Sequence, residues 1–235
     1  DLFENALPHY KYVVEASKSE YTEQANVKLC EIYLLNSNWS KAIPVLLTLE
    51  EEADYPQNVL YAQSNLMNAY YQIEDYNLAK IYAEKVLGNS NLDTKVKSDA
   101  QLIIARSAIK TGNEAKAKEA YAIVEKLATG RLAAEALFYN AYFKNKEGKH
   151  EASNTTIQKL AKDYSSYKYY SAKGLVVMAK NFYALGDAFQ ATYILESVIS
   201  NFPDFNDVVE EATTALSKIK AEEAKTNSSI ETDDN

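Results

Sequence analysis

The sequence predicts an all-α fold, an α-solenoid of antiparallel helix pairs, and three observations predict it. Helix punctuation is scarce, with six Gly and four Pro in 235 residues, so the apolar segments run as long helices and not as strands and loops. A small residue recurs after a short polar turn at Ala6, Ala42, Ala79, Ala117, Ala152 and Ala191, with spacings of 36, 37, 38, 35 and 39. Self-similarity at such a period marks a repeat architecture. About twelve positions before the markers stands a second small or medium residue, usually with an aromatic three later: Cys30 and Tyr33, Met67 and Tyr70, Ala105 and Ala108, Ala179 and Phe182. Two antiparallel helices must approach closely where their faces cross, and small residues on both make that possible.

The elements follow in order. A lone helix over about 2–16 opens the chain. Its Asn5-Ala6-Leu7-Pro8 resembles Lys41-Ala42-Ile43-Pro44, and proline is tolerated in a first helical turn, where its missing N–H has no intrahelical acceptor. Residues 1–17 are therefore expected to be a half repeat that begins mid-unit, with any targeting signal upstream and weak self-association through this end. Helix pairs follow at 20–35 with 39–53, 57–73 with 76–87, 93–111 with 114–128, 131–147 with 150–163 and 167–185 with 188–201. They make five repeats over about 20–54, 57–88, 93–128, 131–164 and 167–203. In the fourth, Asn140 and Phe143 fill the upstream slots if Ala152 is the marker, whereas Ala141 fills one if Ser153 is. After Pro203 a helix over 205–224 places Val208, Val209, Ala212, Ala215, Leu216 and Ile219 on one stripe, the pattern of a cap on the last repeat. The whole is expected to be one solenoid over 1–225, and the polar, acidic residues 226–235 a disordered tail.

Charge and motifs narrow the function classes. With 25 Lys and Arg against 33 Asp and Glu the net charge is −8, the wrong sign for a phosphate-backbone partner, so no nucleic acid is expected. No apolar run approaches the ~18 residues of a membrane-spanning helix. The single cysteine, Cys30, sits at a crossing position and reads as packing. His9 and His150 lie in different repeats, and no His-x-x-x-His, Cys-x-x-Cys or Gly-rich phosphate loop occurs. The acidic run Glu50-Glu51-Glu52-Ala53-Asp54 lacks the Gly turn and alternating ligands of a calcium loop. No catalytic residue, cofactor or metal is assigned, and the chain does not read as an enzyme.

The segment Ala179-Lys-Asn-Phe182-Tyr-Ala-Leu-Gly186-Asp187-Ala-Phe-Gln-Ala191, closed by Pro203, resembles the tetratricopeptide repeat (TPR), and the resemblance extends over nearly the whole chain to Pro203. It implies a TPR superhelix and a protein-binding scaffold. More narrowly, Tyr169-Tyr170-Ser-Ala-Lys-Gly-Leu and the run from Gly186 to Ile199 resemble the C-terminal region of large Bacteroidetes TPR proteins similar to Tol-Pal accessory proteins, which implies a periplasmic or outer-membrane-associated setting.

A TPR solenoid exposes a concave groove along the first helix of each pair. Projected at the helical period, that face carries Tyr61, Asn68 and Tyr71, then Leu102 and Arg106, then Tyr142, then Lys180 and Tyr183. Tyr and Arg join apolar area to a polar handle and are enriched in binding hot spots. These eight are the expected protein-binding residues, for a peptide or protein segment. The carboxylate clamp of TPR co-chaperones is not matched: Arg106 and Asn68 have suitable positions, but Val27 and Glu31 stand where its first Lys and Asn belong. Two other functions remain open: a structural spacer or oligomerisation platform, and an outer-membrane assembly-type TPR component.

Overall fold

The short turn inside each pair is built the same way five times. At the end of each first helix one residue takes a left-handed conformation: Ser37, Glu74, Gly112, Gly148 and Gly186, with φ of 52°, 64°, 74°, 72° and 88°. The residue after it donates its N–H back across the helix end, Asn38 to Tyr33 O at 2.8 Å, Asp75 to Tyr70 O at 2.9 Å, Asn113 to Ala108 O at 2.8 Å, Lys149 to Lys144 O at 2.9 Å and Asp187 to Phe182 O at 2.9 Å. This is the Schellman closure, which satisfies the orphan carbonyls. That same residue then starts the next helix. Asp75 Oδ1 accepts the Leu78 N–H at 3.0 Å and Asp187 Oδ1 the Gln190 N–H at 2.9 Å, so one helix ends and its partner begins within three residues.

A computed structural model describes the backbone of residues 2–233 and the side chains of 5–225. Its helices are α1 (Leu2–Glu15), α2 (Thr22–Leu35), α3 (Trp39–Glu52), α4 (Pro56–Gln72), α5 (Tyr76–Leu87), α6 (Thr94–Lys110), α7 (Glu114–Leu127), α8 (Gly130–Lys146), α9 (His150–Asp163), α10 (Lys168–Ala184), α11 (Ala188–Asn201) and α12 (Asn206–Asp233). No strand occurs among the described residues. From α2 to α11 each expected helix is present with its ends within two residues of those read from the sequence. The chain falls into two compact units, Asp1–Ile123 and Val124–Asn235, with the boundary inside α7. In the first, α1 to α6 pack each on the next; in the second, α8 to α12 do the same. First helices of successive pairs also touch, α4 with α6, α8 with α10, and α10 with α12. This is the helix-pair packing of a TPR α-solenoid. No described helix is long and apolar enough to cross a membrane.

The crossing positions are closed as their small side chains require. Cys30, Ala42, Ala79, Ala105, Ala117, Ala179 and Ala191 are all at 0% exposure. Burial pushes the Cys30 thiol up to about 12, so it stays protonated as a packing residue. The fourth repeat takes the second of its two registers. Ser153 is buried and donates its hydroxyl to Ala141 O at 2.8 Å, while Ala152 faces solvent. The marker spacings on either side then become 36 and 38, in line with the rest. The prolines differ from expectation: Pro8 and Pro44 lie inside α1 and α3, beyond the first turn. The last helix, expected over 205–224, runs on as α12 to Asp233, through most of the segment 226–235 expected as a disordered tail, and side chains are described only to 225.

Candidate functional site

In the first unit, Tyr61 is half-buried on α4, and burial, with Cys30 and Glu31 nearby, raises its phenol well above the ordinary value. Asn68 is exposed and donates its amide to Ser64 O at 3.0 Å, one turn back in its own helix. Tyr71 meets Tyr76 edge-on with ring centres 5.6 Å apart. On α6, Arg106 is half-buried, but Leu102 is at 5% exposure and packs in the interior. Glu31, at a position where a clamp would need a cationic or amide group, pairs with Lys28 at 2.7 Å.

The second unit brings its candidates into closer company. Tyr142 on α8 joins a ring cluster with Phe138, Tyr139 and Phe143 at centre distances of 6.4, 6.1 and 5.4 Å, and Lys146 Nζ lies 5.9 Å above its face. Lys180 and Tyr183 lie on α10, one turn apart, and both reach α12. Lys180 Nζ donates to Glu211 Oε1 and Tyr183 OH to Glu222 Oε2, each at 2.6 Å. The bond to Glu222 holds the Tyr183 phenol up at about 12. Further along, Tyr169 OH donates to Asp207 Oδ2 at 2.7 Å. A cavity of about 630 Å³ opens between α10 and α12, and Lys180 and Tyr183 line it together with Glu211, Ala215, Lys218 and Ile219. Its size is that of a site for a small ligand or a few side chains.

Two polar features escaped the sequence reading. Asn181, at 0% exposure on α10, donates its amide to Asn154 Oδ1 on α9 at 2.8 Å. Its own Oδ1 accepts from Asn145 on α8 at 2.8 Å and lies 3.0 Å from His150 Nδ1, which places the imidazole proton on Nδ1. Glu135, at 3% exposure on α8, accepts from Tyr170 OH on α10 at 2.6 Å. A signal for the first was present: two places after the crossing residue, the other repeats carry Ile32, Ala69, Ser107 and Phe143, and only this one carries an amide. Glu135 has no such marker. Among the described residues no group of three His, Cys, Asp or Glu could hold a metal ion.

A profile of the tetratricopeptide repeat matches residues 99–127 and 175–204, the heart of α6–α7 and of α10–α11. These two segments match the tetratricopeptide repeat. A search of curated proteins returns no match. Among solved structures, a TPR protein from Parabacteroides merdae superposes with a TM-score of 0.67 at 15% identity, covering 89% of this chain and 78% of that one. A STAND signal-transduction ATPase with a TPR sensor from Pyrococcus horikoshii gives 0.59 at 16% identity, covering 98% of this chain and 41% of that one. At such identities the likeness is one of fold. TPR domains generally serve as protein–protein interaction scaffolds.

Proposed function

We propose that these TPR units form a non-enzymatic scaffold that holds a peptide or protein segment against the exposed face of their first helices. The observation that carries this reading is the open cavity beside Lys180 and Tyr183: an apolar floor with polar handles, on the side of α10 turned away from its paired helix. Tyr61, Tyr71 and Arg106 extend the reading to the first unit, where they stay partly accessible on α4 and α6. Leu102 is too deeply buried to touch a partner, and Asn68 would have to give up its bond to Ser64. An envelope setting belongs to the proposal through the resemblance of the C-terminal repeat, and cell fractionation tests it. A pull-down from native extract should lose its partner when Tyr71→Ala, Arg106→Glu and Tyr183→Ala are combined. Undiminished capture by the variant sinks the groove reading, and no partner for either form favours a structural spacer.

A further inference from the structure

The α10–α12 cavity has a chemical polarity that names the kind of segment it takes; the inference rests on the scaffold reading above. On one side α10 presents Lys180 and Tyr183, and on the other α12 presents Thr214, Ala215, Lys218 and Ile219. Ile219 is buried, Ala215 half-buried, and the Tyr183 ring stands beside them, so the floor is apolar. The N-terminal end is acidic, with Asp207 and, one turn further on α12, Glu210 and Glu211. Their local neutralisation is incomplete. Glu211 is matched by Lys180 at 2.6 Å, but Lys173 lies 4.0 Å from Asp207 and also over the rings of Phe138 and Tyr169, at 5.3 and 5.5 Å. The exposed Glu210 carboxylate has no hydrogen bond or ion pair among the described residues.

We propose that this cavity binds a protein segment carrying a large apolar side chain close to a lysine or arginine, the apolar group entering over Ala215, Ile219 and Tyr183 and the cation meeting Glu210 and Asp207. Charge complementarity decides between occupants. Three carboxylates line the cavity against two lysines, a net of −1, and the whole chain carries −8, so a second copy would bring like charge to an acidic rim. A cationic segment is steered toward the site and replaces water at a carboxylate that no internal group satisfies.

Panning the full chain against a phage library of random dodecapeptides tests this. Enriched peptides should pair a Leu, Ile, Met or aromatic residue with a Lys or Arg within four positions. Their synthetic forms should lose binding to Ala215→Trp, whose ring covers the apolar floor beside Ile219, and weaken at least about threefold toward Glu210→Lys. Glu210 is exposed, so its variant keeps the test valid if Ala215→Trp melts early. Enriched peptides without a basic residue, or indifferent to Glu210→Lys, overturn the inference while the scaffold reading stands. Peptides that bind yet perturb only Tyr61, Tyr71 and Arg106 in amide spectra do the same. A dimer by sedimentation that Ala215→Trp dissociates puts a second copy in the cavity and also overturns it. No enrichment at all overturns both readings.

Discussion

Asn181 binds three helices through one amide. Its carbonyl takes Asn145 and His150, its NH₂ gives to Asn154, and none of these bonds can be made by an apolar residue in the same place. Asn181→Leu should therefore cost more than its added apolar volume returns. Asn154 Oδ1 would lose its partner in a buried site, at about 1–3 kcal/mol, and the part-buried Asn145 Nδ2 would lose less. The expected result is a lower urea midpoint with an unchanged slope; an unchanged midpoint would mean that water replaces the amide. Tyr170→Phe makes a parallel case, because it removes the 2.6 Å bond to the buried Glu135 without removing the ring.

Between elements, Glu50 does for the first unit what Asn181 does for the second. From α3 it accepts from Gln63 on α4 at 3.1 Å and from Lys85 on α5 at 2.8 Å. Tyr82 bonds to it too and stacks on Tyr70 with ring centres 5.4 Å apart. Partial burial pushes its carboxyl up, but the bonds from Lys85, Gln63 and Tyr82 outweigh burial and hold it below the usual carboxylate range. A carboxyl depressed in the folded state contributes stability that is complete above its unfolded value, about 4.3. That contribution is lost as pH falls through the lower folded value. Glu50→Gln should cost about 1 kcal/mol at neutral pH, since Lys85 is partly solvated. It should also flatten the acid limb: between pH 6 and pH 3 the wild-type melting temperature should fall further than that of the variant. Equal slopes would show that Glu50 carries no share of the acid sensitivity.

For the whole molecule, α12 closes the last repeat. Val208, Ala212 and Ile219 are buried, and the helix packs on both α10 and α11. Burying a Val and an Ile is worth up to about 3–6 kcal/mol, an upper figure because unfolded chains already hide some apolar surface. A chain ended after Pro203 should melt several degrees lower and aggregate by light scattering, whereas one ended after Lys225 should match the full chain. A Pro203 truncation with an unchanged melting curve would show that α12 is not a cap. The pairing of helices was legible because small crossing residues and left-handed turns recur at fixed spacing, and Cys30 and Ala42 say so as plainly as Ala179 and Ala191. The fourth register was not, since Ala152 and Ser153 are both small and only the carbonyl of Ala141 chooses between them. Of the candidate site, Lys180 and Tyr183 could be placed from the period, but their partners Glu211 and Glu222 lie 31 and 39 residues further on and depend on how α12 docks. Repeats this alike also run a risk while folding, because a helix that fits one neighbour fits the others nearly as well. The places of Asn181's mates, Asn145 and Asn154, hold Leu34 and Ile43, Tyr71 and Lys80, and Ile109 and Lys118 in the first three repeats. An α10 that settled against the wrong pair would bury its amide without these mates, a penalty that favours the native neighbour over its look-alikes.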